Sequence, residues 1–111
     1  MPHVGPARQN AGVEFTFEAE LWRWPGNAAW HFVSLPIDAA DEIEDRYGTS
    51  GGFGAVKVDV RIGATEWSTS IFPDSKSGTY VLPVKKQVRD REGIADGDVA
   101  TVTVSPVTPA T

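Results

Sequence analysis

From Phe15 to Leu21 the chain alternates strictly, with Phe15, Phe17, Ala19 and Leu21 apolar and Glu14, Thr16, Glu18 and Glu20 set between and before them. A period of two marks a half-buried strand, so Glu14 to Trp24 is read as the first strand. Residues 30–36, WHFVSLP, give a second, ended by Pro36. The period then lengthens. Ala40, Ile43 and Tyr47 recur at helical spacing, with Asp38 placed as N-cap and Gly48 as the stop. Acids crowded into the start of this helix complement the positive end of its dipole. GTSGG, residues 48–52, is a flexible break.

Residues 55–72 carry the most specific local pattern. If Gly63-Ala64 is a two-residue loop, glycine occupies the first central position, as a type II′ turn requires. The register then pairs Ile62 with Thr65, Val60 with Trp67, Val58 with Thr69 and Val56 with Ile71 on one mostly apolar face. Arg61 with Glu66, Asp59 with Ser68, and Lys57 with Ser70 fall on the other face. On this register Trp67 belongs to the core. PDSKSG (73–78) follows as a polar loop. TYVLPV is a short strand whose proline suits an edge, a bulge or a strand end. Residues 85–92 form a short helix with Gly93 in the left-handed position after it and Ile94 folding back on Val88. Asp96-Gly97 is a turn dipeptide that opens a closing strand, Val99 to Val104. The acids around Gly97 admit a catalytic reading, but perturbed carboxylates require a cleft, and the turn accounts for both residues.

Composition narrows the class without choosing a function. With 111 residues, 41% apolar and 23% charged, the chain has the makeup of one globular domain, large enough to bury roughly 60 to 70% of its unfolded surface. The ordered domain is expected over 12–105, with residues 1–11 and 106–111 as flexible tails. No stretch reaches the about 18 apolar residues of a spanning helix, and MPHVGPARQN lacks the apolar centre of a signal peptide. A cytoplasmic protein away from membranes is expected. Having no cysteine, the chain has no disulfide or thiolate chemistry. A net charge of −5 opposes nucleic-acid binding, which rests on neutralising phosphates.

Taken together, FTFEAELW, WHFVSLP, AVKVDVRIGATEWSTSIFP and GTYVLPVKKQVRDREGIADGDVATVTV resemble, in their order and spacing, the DUF1905-like family of small bacterial domains of unknown function. Some members are fused to a bacteriocin-protection-like segment. The resemblance runs from about Val13 to Ser105. It implies a mainly β fold with two short helices, a closed, roughly six-stranded complex β-barrel with crossover connections. Gly97-Asp98 also looks like the glycine-aspartate turn of related barrels, where its role is structural. The family carries no established activity, cofactor or catalytic residue.

Candidate chemistry is sparse. His31 is the only histidine outside the N-terminal tail, and with no cysteine a zinc site, which takes three or four ligands, is not expected. No other metal or cofactor is expected either. An acid–base role for His31 with a nearby carboxylate needs partners that meet in space, and no G-x-S-x-G elbow marks a nucleophile. Lys85 and Arg89 lie four apart on one helical face, a spacing that can hold a carboxylate or phosphate. The same charges, interleaved with Asp90 and Glu92, also suit a solvated face. GTSGGFG lacks the Lys-Ser/Thr of a phosphate loop. Trp22 and Trp24 fall on the polar face of the first strand, with Trp30 shortly after; they either line a groove or are covered by a helix. The expected function is therefore binding of a small anionic ligand or a protein partner, with Trp22, Trp24, His31, Lys85 and Arg89 as the site, in a monomer or weak homodimer. The alternatives are a small acid–base enzyme using His31 in a barrel pocket, and a structural domain that self-associates through a strand edge.

Overall fold

The computed structural model describes residues 13–26, 29–47 and 54–107. Along the chain these form β1 (Phe15–Glu20), β2 (Trp22–Arg23), β3 (His31–Ser34), α1 (Ile37–Tyr47), β4 (Val56–Ile62), β5 (Thr65–Asp74), β6 (Thr79–Pro83), α2 (Lys86–Glu92) and β7 (Val99–Pro106). The fold is mainly β with two helices, as expected. Among the described residues the strands form one antiparallel sheet in the order β1-β7-β4-β5-β6-β3-β2. The chain crosses over to place β7 between β1 and β4, and β3 beside β6.

Two details depart from a closed barrel of six strands: the sheet has seven strands and is nearly closed. Both have one cause. The first alternating run does not continue as a single ladder but breaks at Leu21, so that β1 pairs with β7 while β2 pairs with β3. These two pieces are the opposite ends of the sheet, joined through one residue. Leu21 is fully buried. Its N–H donates to the Asp98 carbonyl at 2.8 Å, and its carbonyl accepts from Gly97 N–H at 2.8 Å. The turn at Asp96-Gly97-Asp98 thus holds the point where the sheet bends round. Asp98 fixes that turn itself, its N–H donating to the Ala95 carbonyl at 2.9 Å and its Oδ2 accepting from Ala95 N–H at 2.8 Å.

The β4–β5 hairpin has the expected register in all seven pairs, from Ile62 opposite Thr65 to Val56 opposite Ile71. Gly63 has φ +58° and Ala64 a negative φ, the signs a type II′ turn requires. Val56, Val58, Val60, Ile62, Thr65 and Ile71 are buried, whereas Lys57, Arg61 and Glu66 are exposed. With Leu21, Val33, Leu82, Val102 and Val104 they make the interior. Helix α1 contributes Ala40 and Ile43 and α2 contributes Val88.

The element ends show several corrections. Helix α1 begins at Ile37, so Asp38 lies in its first turn rather than at the cap; the Pro36 carbonyl accepts from Ala40 N–H at 2.9 Å and opens the helix one residue after the proline. Helix α2 begins at Lys86 and ends as expected at Gly93, with bonds from Ile94 N–H to the Arg89 carbonyl and from Gly93 N–H to the Asp90 carbonyl. Pro73 and Asp74 belong to β5, opposite Tyr80 and Thr79, so the polar loop shrinks to 75–78. At the C-terminal side, β7 passes the expected boundary at Ser105: Pro106 is buried opposite Val58, and Val107 N–H donates to the Lys57 carbonyl at 3.0 Å. The break at GTSGG, the helix stop at Gly48 and the N-terminal tail lie outside the described residues. No helix among the described residues is long and apolar enough to cross a membrane.

Candidate functional site

The sheet opens between β5 and β6. Residues 65–71 of β5 pair with β4, but pairing with β6 covers only Phe72 to Asp74. Opposite the splayed part of β5, Pro83 ends β6. Proline has no N–H to extend the ladder, and the chain turns into α2, which buries Val88 in the core. Between the separated segments lies a groove of about 930 Å³. β5 supplies Trp67, Ser68, Thr69 and Phe72. Trp24, Trp30, His31 and Phe32 come from the β2–β3 side, and Lys85, Lys86 and Arg89 from the start of α2.

Four of the five residues singled out in the sequence, Trp24, His31, Lys85 and Arg89, line this groove together; Trp22 does not. Its indole stacks on Phe32 with ring centres 5.1 Å apart, lies 6.0 Å from Trp24, and donates its Nε1–H to Ser34 Oγ at 3.0 Å. Trp22 is half-buried, and its aromatic neighbours in the same sheet hold it against two rings of the groove wall. Trp30 and Phe72 are 55% and 41% exposed, large apolar surfaces facing solvent in one place. Trp67, expected in the core, is only half-buried and reaches both the core cluster and the groove. Phe72 is the residue that the sequence reading missed. Its signal was parity: Ile71 points inward, which puts Phe72 on the opposite face.

The basic side chains are not equivalent. Arg89 donates Nε–H to the Val84 carbonyl at 3.1 Å and Nη2–H to the Ala29 carbonyl at 3.4 Å, fastening α2 to the end of β6 and to the loop before Trp30. Lys86 pairs with Asp90 at 2.7 Å across one helical turn, both well exposed. Lys85 is exposed, with no ion-pair partner among the described residues. Asp74 brings one carboxylate to the same groove. Glu92 lies away from the helical cluster: its carboxylate accepts from Thr65 Oγ1 at 2.5 Å and covers Gly63.

His31 is half-buried, and its Nδ1 is buried with no hydrogen-bond partner. Its carbonyl accepts from Val84 N–H at 2.9 Å, which ties β3 to the turn into α2. No carboxylate among the described residues is hydrogen-bonded to the ring, so the geometry contains no oriented acid–base pair. No group of three or more His, Asp or Glu among the described residues is placed to hold a metal. A second hollow, about 660 Å³, lies between α1 and the β5–β6 hairpin, lined by Glu44, Asp74 and Tyr80. Burial, and then the Glu44 carboxylate, push the Tyr80 phenol above its usual value of 10.0.

Residues 17–104 match the family model described as a domain of unknown function, DUF1905, and the chain belongs to that family. No curated protein matches the chain.

Proposed function

We propose that this member of the DUF1905 family is a binding domain which holds a small anionic ligand in the groove between β5 and α2 and performs no chemistry on it. One observation carries the reading: the same groove collects exposed aromatic surface and the cations Lys85 and Arg89. Small-molecule sites are typically concave, largely apolar and furnished with a few polar groups that fix orientation, with volumes of about 300–1,000 Å³. The groove has that size and that mixture. Lys85, which has no ion-pair partner among the described residues, supplies attraction, and Arg89, braced by two carbonyls, presents its remaining N–H groups with little freedom left to lose.

Two dyes of similar apolar body test this: 1-anilinonaphthalene-8-sulfonate, an anion, and N-phenyl-1-naphthylamine, its neutral relative. The anion should bind saturably at one site, more tightly than the neutral dye, and should weaken as sodium chloride rises. Lys85→Gln should weaken the anion about twofold to fivefold, the worth of an exposed charge contact, and leave the neutral dye unchanged. Arg91→Ala should leave both affinities in place, because Arg91 is exposed and does not line the groove. Equal, salt-independent binding of the two dyes, or an anion affinity indifferent to Lys85, would sink the proposal.

A further inference from the structure

We infer that the ligand of this groove is a flat aromatic monoanion, an aryl carboxylate, an inference that rests on the anion-binding reading above. The walls of the groove are aromatic on both sides. Trp24 and Trp30 approach from the β2–β3 side, and Trp67 and Phe72 from β5. Aromatic rings gain from offset or edge-to-face contact with another ring beyond the area they bury. A saturated body of equal size gains only the area. Trp22 stacks on Phe32 and lies near Trp24, so that of these rings Trp24 is braced before any ligand arrives.

Charge narrows the ligand further. Lys86 is already neutralised by Asp90, and Asp74 faces the same groove. Among the described residues, Lys85 and Arg89 against the one carboxylate of Asp74 leave a single positive charge in excess. A monoanion matches that excess; a dianionic phosphate ester overfills it and meets Asp74. Arg89 points the same way. Its Nε–H and one Nη2–H are committed to the Val84 and Ala29 carbonyls. The guanidinium's five N–H groups therefore leave two on Nη1 and one on Nη2, enough for the two oxygens of one carboxylate.

Calorimetry with four compounds tests the inference on the intact chain: 2-naphthoate, decahydro-2-naphthoate, 2-naphthamide and 2-naphthyl phosphate. 2-Naphthoate should bind most tightly. The saturated acid should be about tenfold weaker, the worth of two aromatic contacts, and the amide and the phosphate should also be weaker. Trp30→Leu, a change at an exposed position, should bring the aromatic and saturated acids closer together. Equal affinity of the two acids, both above the amide, overturns the aromatic inference and leaves anion binding standing. A phosphate tighter than the carboxylate overturns the monoanion. An amide equal to the acid, or no binding by any of the four, overturns the anion reading and this inference with it.

Discussion

Gly63 sits under two constraints that separate experimentally. Its φ of +58° lies in the left-handed region, which costs an L-residue about 1–2 kcal/mol. A β-carbon there would also overlap Glu92 Oε1 and lie 2.7 Å from its Cδ, so the carboxylate would have to shift. Glu92 is flexible at that end, so its shift weakens rather than removes the 2.5 Å bond that Oε2 accepts from Thr65 Oγ1, and costs part of the about 1.5–3 kcal/mol that a charged hydrogen bond is worth. Gly63→Ala should therefore cost about 2–4 kcal/mol, lowering Tm by on the order of 10–20 °C in a domain of this size. Gly63→Val should cost more, because a β-branched residue resists positive φ further. The assay is urea denaturation at equilibrium, reading the midpoint at unchanged m. Glu92→Ala supplies the second arm: in that background the overlap is gone, and Gly63→Ala should cost only the backbone part, about 1–2 kcal/mol. A cost below about 0.5 kcal/mol, or one identical in both backgrounds, would refute the account.

Asp98→Asn keeps an oxygen for Ala95 N–H and should change stability by less than about 1 kcal/mol, whereas Gly97→Val, at φ +92° in the turn that holds Leu21, should be strongly destabilising by thermal melting; equal effects of the two would contradict the turn's role. At alkaline pH, burial and Glu44 keep the Tyr80 phenol protonated longer in the folded state than in the unfolded chain. The unfolded state thus loses its proton first, and the stability present below about pH 10 is lost as pH rises through the folded pKa. Tyr80→Phe should flatten this fall in urea titrations from about pH 9 to about 11; an unchanged slope would mean that another group causes it.

What was legible in the sequence divides along the range of the forces involved. The β4–β5 hairpin was readable in full because turn chemistry and alternation both act within 18 residues and agree on one register. The left-handed ending of α2 at Gly93 was readable for the same reason. The break at Leu21 was not: alternation through Leu21 is unbroken, and what divides the strand is the distant turn at Gly97 and Asp98, which takes both backbone groups of Leu21. Trp22 and Trp24 were visible as aromatics on the wrong face. Which of them lines the groove depended on the contacts Trp22 makes with Phe32 and Ser34, of which only the Phe32 pairing follows from the β2–β3 register. The fate of Arg89 was hidden too, since its partners are main-chain carbonyls, and any residue supplies a carbonyl.

The groove itself follows from how the sheet fails to close. β5 has ten residues and β6 only five, so their antiparallel pairing must run out. Pro83 marks where it does. Past that point β5 would offer a bare edge to solvent, a surface that invites strand pairing with other chains. Helix α2 answers this by lying beside β5, its Glu92 fastened to Thr65 at one end and its Arg89 to Val84 and Ala29 nearer the other. A helix does not fill the place of a strand as neatly as a strand does, because its side chains stand off from the edge they cover. The remaining space takes its character from whatever lines it: aromatics from two strand segments and cations from the helix's first turns. The same fastenings that hold α2 against the open sheet thus put Lys85 and Arg89 beside Trp24 and Trp67. Stability and the proposed site therefore share residues. Arg89→Ala is on this account a poor test of binding alone, whereas Lys85→Gln, which removes no contact that holds the helix, is the clean one.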